Sequence, residues 1–375
     1  MQARRVEFYR HDLGELELAS LRETLSTPFL TLGPRVASFE QRLAAELGAP
    51  HVVGVSSCTV GLQLALTALG VSAGDEVVTT PMTFLSTPNA ALYVGATPVF
   101  ADVDARTGLI DPDDVARKIT PRTRAILAVH LYGQMADVRA LRALADRHGL
   151  ALVEDAAHGF ECERDGARPG SIGDAAVFSF YATKTITSGD GGAIAVRDDG
   201  VAARLRRLRN HGVNKDAVSR YGGTFSHFDM VELGVKGAMT DVEAALLLPQ
   251  LERARARRDA RHALADRYVA ALRDVPGVET MERVGTSTHH LFPVLVPSAR
   301  REEVLLRLSS AGVGCAVNYR AVHTHTYYRE RFGLPDEALP RALLIGQRTI
   351  SLPLWPGLPD EDVDHVVACL RQALA

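Results

Sequence analysis

A lysine beside a glycine-rich turn has the setting in this chain that best suits covalent chemistry. Lys184 stands in SFYATKTITSGDGGAIAV, between two apolar runs and just before Gly189, Gly191 and Gly192. The apolar runs would hold the amine in a partly dry site, and partial desolvation lowers the pKa of a lysine and favours imine formation. A lysine by itself is usually a solvated surface charge. The interpretation therefore depends on partners elsewhere in the chain.

A carboxylate at the end of a predicted strand is the first such partner. In ALVEDAAHGF an apolar run leads into Glu154 and Asp155, and open α/β sheets bind their ligands at the carboxyl ends of strands. Asp155 is therefore predicted to reach a ligand. The alternative is a helix cap or an acid in a loop, and only the other segments decide between the two.

A strand-to-helix turn supplies a candidate anion site. VSSCTVGLQLAL places Ser57, Cys58 and Thr59 where a helix would begin. The unpaired N–H groups and the dipole of a helix N-terminus attract phosphate. Plain helix capping is the alternative for this turn.

Two further side chains complete a set that is typical of one cofactor. Phe84 follows the next predicted strand, and Ser179 places a hydroxyl near Lys184. Pyridoxal 5′-phosphate (PLP) needs an imine-forming lysine, a carboxylate for its pyridine nitrogen, a phosphate site and an aromatic face. Lys184, Asp155, the turn at 57–59 and Phe84 meet these needs, although a Phe alone would be interpreted as a core residue.

The elements that position these residues predict an α/β sheet covered on both faces. Between about 50 and 200, short apolar runs alternate with helical apolar spacing. Helices are predicted at 59–69 and 138–147, each ended by a glycine, Gly70 and Gly149. The predicted strands are HVVGVSS, EVVTTP, TPVFADV, AILAVH, ALVEDA, DAAVFSF and GAIAV.

The C-terminal part predicts a smaller α/β domain behind a long linking helix at 240–273. After that helix the pattern gives a strand (HHLFPVLV, its two histidines treated as ordinary strand residues), a helix at 301–311, a strand (GCAVNY) and a final helix from Asp360. The predicted division is a large PLP-binding domain over 1–250 and a linking helix with a small domain over 251–375.

Composition excludes several classes of protein. The chain has 375 residues, 46% hydrophobic content and a net charge of -3, which gives no electrostatic footprint for nucleic acid or an anionic membrane. Four cysteines without a C-x-x-C pair, and the lack of a signal or membrane segment, fit a reducing cytoplasm. The basic run RARARRDARH is interpreted as a solvated helix face. A nicotinamide dehydrogenase or P-loop protein is disfavoured, because neither glycine fingerprint occurs.

The motifs together resemble those of the DegT/DnrJ-type nucleotide-sugar aminotransferases, a branch of the fold type I PLP enzymes. The likeness is carried by SFYATKTITSGDGGAI, EDAAHGF and VSSCTVGLQLAL, and extends from GPRVASFEQRLA to SLPLWPGLPDEDVD, nearly the whole chain. It implies a large domain with a mostly parallel mixed sheet and a small C-terminal domain. It also implies transfer of an amino group, with glutamate as the expected donor, to a keto sugar linked to a nucleotide.

The resemblance also implies a role for each site residue. Lys184 would form the imine with the cofactor, Asp155 would pair with the pyridine nitrogen, and His158 would lie beside the ring oxygen. The further contacts that it implies are phosphate binding by Thr59 and Ser179 and ring stacking by Phe84.

Members of this family are homodimers with shared active sites, which implies a partner contact here. The stretch LGVKGAM stands where relatives carry an Asn and a basic residue, so Lys236 is expected to contact phosphate across the interface. Gly237 and Ala238 replace the aromatic and basic residues often found there. VNYRAVHTHTYYRERF resembles the substrate segment of enzymes that form UDP-4-amino-4-deoxy-L-arabinose, which implies amination at C4. The substrate-binding residues expected from this segment are Tyr319, Arg320, His323 and His325.

Several alternatives stay open on the sequence. A C3 keto sugar or a keto-cyclitol could replace the C4 substrate. A non-catalytic PLP-binding regulator or a scaffold is disfavoured by the retention of Lys184, Asp155 and Ser179, but it stays open. A sugar dehydratase of the related branch is disfavoured, since that branch carries His in place of the lysine at Lys184. His323 and His325, if on a strand, could place two imidazoles on one face. Because spacing suggests no third ligand, no metal site is predicted.

Overall fold

The fold is built around one large sheet, as the alternation of strands and helices predicts. The structure, a computed structural model, describes residues 4–214 and 227–375. Within these residues the sheet has seven strands in the order β1-β7-β6-β5-β4-β2-β3. The strands are β1 (His51–Val55), β2 (Glu76–Thr79), β3 (Thr97–Phe100), β4 (Thr123–Val129), β5 (Ala151–Asp155), β6 (Ala175–Ser179) and β7 (Gly192–Val196). All seven predicted strands are confirmed.

The direction of the strands decides where a site can form. β7 runs antiparallel to its neighbours β1 and β6, whereas β6, β5, β4, β2 and β3 pair in parallel. The segments that follow β1, β2, β5 and β6 therefore leave the sheet at the same edge. These are the segments that carry the candidate residues, so the topology brings them together.

Helices cover both faces of the large sheet, which explains why its strands are nearly continuous apolar runs. One face packs against α3, α4 and α7, and the other against α2, α5, α6 and α8. In the described residues the helices are α1 (Glu15–Leu25), α2 (Pro34–Leu47), α3 (Cys58–Ala68), α4 (Ser86–Tyr93), α5 (Pro112–Lys118), α6 (Val138–His148), α7 (Asp199–Leu208), α8 (Asp241–Leu251), α9 (Ala254–Leu272), α10 (Arg301–Ser310), α11 (Thr326–Phe332), α12 (Pro340–Arg348) and α13 (Asp360–Leu374). The predicted mixed α/β class is confirmed.

The predicted helix ends are confirmed where a single residue determines them through its own backbone or side chain. Gly149 ends α6 with φ 63°, a left-handed conformation that a glycine adopts without strain. Thr240 caps α8 through a reciprocal pair of hydrogen bonds with Glu243. The prediction of a single long helix over 240–273 is wrong, because α8 ends at Leu251 and α9 begins at Ala254, three positions later. Pro249, which lacks an N–H group, lies in the last turn of α8.

A second sheet organises the C-terminal part. Its strands are β8 (Glu279–Thr280), β9 (Phe292–Leu295) and β10 (Thr349–Leu352), in the order β10-β9-β8. They share an apolar core with α9, α10 and α13, and Val6 from the N-terminal segment joins it. This matches the predicted small α/β unit, while the boundary after residue 250 stays a prediction.

Two predicted C-terminal strands need correction. HHLFPVLV forms a strand only over β9, since His289 has φ 45° and cannot continue a β conformation. GCAVNY is not a strand, because it pairs only through an isolated bridge between Ala316 and Ser351.

The basic run in α9 is not a solvated face throughout. Arg257 and Arg261 are 8% and 2% exposed. Arg261 pairs with the buried carboxylate of Glu161 and donates from Nε to the carbonyl of Thr288 at 2.7 Å. The prediction from charge density was therefore wrong, because the acidic partners come from distant segments.

Replacing Arg261 by leucine is expected to lower the free energy of unfolding by about 3 kcal/mol, since the Glu161 carboxylate would remain buried without its cation. Urea unfolding followed by circular dichroism measures the change. Arg267→Leu, which removes exposed ion pairs with Asp360 and Asp364, is the control and should change little. The double variant with Glu161→Leu should be more stable than Arg261→Leu alone. Equal effects of Arg261→Leu and Arg267→Leu would contradict this account.

No helix of the described residues is long and apolar enough to cross a membrane.

Candidate active site

A cavity of 540 Å³ lies at the edge of the large sheet where the candidate segments meet. This volume falls in the range of sites that bind small molecules and cofactors. The predicted residues that line it are Ser57, Cys58, Thr59, Phe84, Asp155, His158, Ser179, Lys184 and Tyr319. The structure thus brings together residues from five separate segments.

The turn between β6 and β7 carries Lys184 into the cavity. Its backbone N–H donates to the carbonyl of Tyr181 at 2.9 Å, and Gly191 adopts φ 136°, which L side chains rarely do. Burial lowers the pKa of Lys184 from 10.5 to about 8, although Cys58 and Asp155 act in the opposite direction. About one tenth of this amine is therefore uncharged at pH 7, and the uncharged form is the one that nucleophilic attack requires.

Gln250 fixes the same turn from the far side and was not predicted. Its Oε1 accepts from the N–H of Thr187 at 3.0 Å, and its Nε2 donates to the carbonyl of Thr187 at 2.7 Å. Gln250 is 2% exposed, so these bonds hold the backbone three residues after Lys184. The signal in the sequence was a lone amide in the apolar helix segment LLLPQL.

Asp155 ends β5 as a buried carboxylate. Oδ2 accepts from the hydroxyl of Thr87 at 2.6 Å, and Oδ1 accepts from the N–H of Ala157 at 3.1 Å. Burial raises the pKa of Asp155, whereas these two donors and the charge of Lys184 lower it. Since Thr87 gives its proton to Asp155, Thr83, 2.6 Å from Thr87, donates in turn to Thr87. This chain of hydroxyls favours the ionised carboxylate.

The N-terminus of α3 lies against the first residue of β7. Ser57 caps the helix by accepting from the N–H of Val60 at 3.2 Å, so the capping interpretation is correct. The N–H groups of Cys58 and Thr59 have no acceptor in the first turn of a helix. A Cβ at Gly192 would lie 2.7 Å from the Cys58 nitrogen. Capping and anion binding are therefore compatible at this turn.

The aromatic residues form one wall of the cavity. Phe84 is 57% exposed, which contradicts a core role, and its ring centroid lies 6.0 Å from that of Tyr319. The Tyr319 hydroxyl is 3.1 Å from Nε2 of His158. The Nδ1 atom of His158 is buried and has no hydrogen-bond partner in the part of the chain that the structure describes. An orphaned polar atom in this wall suits a polar ligand group.

His290 is a cavity residue that the sequence interpretation missed. Its Nε2 lies 3.4 Å from Nζ of Lys184, and its ring centroid lies 4.5 Å from that of His158. The prediction that the HHLF histidines are ordinary strand residues is wrong, because both precede β9. The repeated histidine before a strand was the available signal.

Four predicted residues lie outside the lining of the cavity. Lys236 is exposed. Arg320 donates to the side chain and the carbonyl of Thr324, and the buried His323 bonds to the carbonyl of Asp336 at 2.9 Å. His325 stands at the start of α11. The structure therefore does not bring these four side chains to Lys184 within one chain.

The H-x-H motif does not lie on a strand. His323 belongs to a short 3-10 turn, and His325 precedes a helix, so the premise of two imidazoles on one strand face is wrong. Among the described residues no group of three or more His, Cys, Asp or Glu side chains could hold a metal ion.

The arrangement fits PLP at each point that its chemistry requires. A carboxylate and an amine with a lowered pKa face one cavity, which also contains a helix N-terminus and an aromatic ring. Asp155 would pair with the pyridine nitrogen, and the N-terminus of α3 would bind the phosphate. Lys184 would form the imine with the carbonyl carbon.

Comparisons with known proteins agree with this geometry. The model of the DegT/DnrJ/EryC1/StrS aminotransferase family matches residues 11–371. The spore coat polysaccharide biosynthesis protein SpsC of Bacillus subtilis (strain 168) is 41% identical over 367 residues, covering 96% of this chain and 94% of SpsC.

Solved structures give the same result for the fold. DesV of S. venezuelae has a TM-score of 0.88 and 35% identity, covering 95% of this chain and 93% of DesV. DesI, solved in the presence of its TDP-sugar product, has a TM-score of 0.89 and 34% identity, covering 99% of this chain and 93% of DesI. The predicted fold type I architecture is confirmed, and the chain belongs to the DegT/DnrJ/EryC1/StrS family of sugar aminotransferases.

Proposed function

We propose that the protein binds PLP in the 540 Å³ cavity and moves an amino group from L-glutamate to C4 of a keto sugar carried on a nucleoside diphosphate. The observation that carries the proposal is the placement of Lys184 and Asp155 in one cavity, the amine with a pKa near 8 and the carboxylate buried. We place the reaction in the cytoplasm, in keeping with the sparse cysteines.

The cofactor, when bound, supplies the electron sink that makes a carbon–hydrogen bond next to the amine acidic. The residues of the chain supply the rest. Asp155, ionised and supported by Thr87, holds the proton on the pyridine nitrogen. Lys184 takes the proton from the substrate carbon and returns it at the neighbouring position. The N-terminus of α3 orients the phosphate, and Phe84 limits movement of the ring.

The sugar assignment rests on two supports. DesI, which resembles this chain over nearly its full length, was solved with a TDP-sugar product, so a nucleotide sugar suits the family. Tyr319, from the segment that resembles C4-acting enzymes, lines the cavity beside Phe84. The position of amination depends on where the diphosphate binds, because that binding position determines which carbonyl of the sugar reaches the cofactor amine.

The enzyme, loaded with an amino group from glutamate, is expected to aminate a nucleotide 4-keto sugar and to react at least about 10²-fold more slowly with the matched 3-keto sugar or a keto-cyclitol, since misplacement of the reacting atoms by about 1 Å has a cost of that size. NMR of the products measures the position of the new amine. Efficient turnover of only the 3-keto sugar, or only the cyclitol, would refute the C4 assignment.

We also propose a homodimer in which Lys236 serves the partner's cavity. Lys236 is exposed and lies outside the cavity of its own chain. The residues just before it include three large apolar side chains, Met230, Val231 and Leu233, which are 58%, 53% and 84% exposed. Exposed apolar clusters of this kind mark protein interfaces.

Mixed dimers test this sharing. Lys184→Ala and Lys236→Ala subunits, each inactive alone, are expected to recover up to about one quarter of the parent activity when exchanged. In a random mixture half of the dimers are mixed, and each mixed dimer has one site with both lysines. Size-exclusion chromatography and mass spectrometry establish that exchange occurred. Full exchange without any recovery would rule out shared sites.

A further inference from the structure

The side chain of His290 touches the amine that carries the chemistry, and none of the proposed roles uses it. Nε2 of His290 lies 3.4 Å from Nζ of Lys184, a long hydrogen bond. His290 also lines the cavity and is 8% exposed. We propose that His290 is a catalytic residue that accepts a hydrogen bond from Lys184 and so holds its ammonium form during proton transfer. This inference rests on the proposed aminotransferase function.

The charge state of His290 suits an acceptor. Burial lowers the pKa of His290 well below its usual range, and the charge of Lys184 lowers it further. The ring is therefore neutral near pH 7, and one of its nitrogens carries a free lone pair. Because the lysine amine has N–H groups to give, the contact places Lys184 as donor and Nε2 of His290 as acceptor.

Three residues hold this ring in place. The Thr288 hydroxyl donates to the carbonyl of His158 at 2.7 Å and accepts from the N–H of His290 at 3.1 Å. Arg261, paired with Glu161, donates to the carbonyl of Thr288 at 2.7 Å. The buried ion pair thus fixes the loop that carries His290 and ties it to the loop that carries His158.

The two imidazoles beside Lys184 stay neutral when its amine is charged. Burial lowers the pKa of His158 as it does that of His290, and the charge of Lys184 lowers both further. Both rings therefore stay neutral while the amine is protonated. The titratable or charged groups that line the two cavities next to Lys184 are, among the described residues, Tyr9, Arg10, His11, Asp12, Cys58, Asp155, His158, Tyr181, Asp190, Arg257, Arg261, His290 and Tyr319.

The proton balance of the step is simple. A substrate C–H bond breaks, its proton goes to Nζ of Lys184, and the electron pair stays on the substrate and cofactor. Lys184 is then an ammonium that donates one N–H to His290. The ammonium releases a proton to the neighbouring carbon, and Lys184 returns to its neutral form while His290 stays neutral throughout. His290 orients the ammonium and lowers its energy without gaining a proton.

The test measures the pKa of Lys184 directly. Protein filled with pyridoxamine 5′-phosphate, which has no carbonyl, keeps Lys184 as a free amine whether or not the enzyme turns over. The pH dependence of its modification by an amine-selective reagent, read by peptide mass spectrometry, gives the pKa. His290→Leu should lower that pKa by about 1, because the ammonium loses an acceptor. His290→Gln, which restores a carbonyl acceptor, should keep most of the parent value.

His289→Asn is the matched control, since His289 packs against His262 and asparagine tolerates its φ of 45°. It should leave the pKa of Lys184 unchanged. In the parent, histidine ¹⁵N NMR should show an unprotonated Nε2 at His290 that responds as Lys184 titrates, which tests the contact even if His290→Leu fails to fold.

The steady-state expectation is a kcat about 10²-fold lower in His290→Leu, with little change in the KM for the amino donor. A Lys184 pKa equal to the parent's in His290→Leu, or an Nε2 that carries a proton, would overturn the inference. If His290→Leu shifts the pKa of Lys184 but the parent protein transfers no amine, the contact between the two residues stands and the proposed function is rejected.

Discussion

Replacing Lys184 by alanine is expected to lower kcat/KM for amine transfer by at least about 10⁴-fold, since the proposed mechanism uses this one amine both to form the imine and to carry the proton. The cofactor should still bind, because Asp155 and the N-terminus of α3 remain. Single-turnover kinetics with glutamate measure the loss, and the content of bound cofactor is measured on the same sample.

Lys118→Ala is the matched control for that loss. The sequence has four lysines. Lys118 is the last residue of α5, which packs on the same face of the large sheet as α6, and it does not line the cavity. Its replacement should leave kcat/KM within about twofold of the parent, as surface substitutions usually do. Normal transamination by Lys184→Ala would contradict the assignment of Lys184 as the imine-forming lysine.

Asp155→Asn is expected to lower kcat by about 10³-fold while the affinity for the cofactor changes much less. A neutral amide cannot hold a proton on the pyridine nitrogen, so the ring loses its capacity to accept electrons. The amide also places an N–H₂ group against a donor, either Thr87 or the N–H of Ala157. Kinetics and a cofactor-binding titration on one preparation separate the two effects.

Two control variants separate the role of the Asp155 carboxylate from the effect of the chemical change itself. Asp146→Asn makes the same chemical change on α6, where Asp146 pairs with Arg142 at the surface, and should be neutral. Thr87→Val removes the hydroxyl donor and leaves the carboxylate, so we expect a smaller loss of about tenfold. A kcat for Asp155→Asn close to that of the parent would show that the carboxylate has no part in the chemistry.

Much of the large sheet was predictable because its signals are local. Each strand is an apolar run bounded by turn residues, and Gly149 and Thr240 mark helix ends through their own backbone or side-chain chemistry. The position of Asp155 and Lys184 at one edge followed from the parallel order of the strands. Sequence reasoning therefore reached the half of the cavity that is proposed to hold the cofactor.

The other half depends on contacts between distant segments. His290 reaches Lys184 across 106 positions, and the loop that carries it is held by Arg261, 27 positions before Thr288. Gln250 in α8 accepts a hydrogen bond from Thr187, in the turn that carries Lys184, although the two residues are 63 positions apart. No periodicity or spacing encodes such contacts. For the same reason the basic run in α9 was interpreted as solvated when Arg261 is buried.

The visible absorption spectrum of the purified protein, recorded before and after glutamate and again after a nucleotide 4-keto sugar, tests the central claim most directly. We expect an absorption band from PLP joined covalently to Lys184, its loss when glutamate delivers the amine, and its return when the keto sugar removes it. A protein that contains PLP but whose spectrum responds to neither addition would be a non-catalytic binder, and the assignment as a sugar aminotransferase acting through Lys184 would be contradicted.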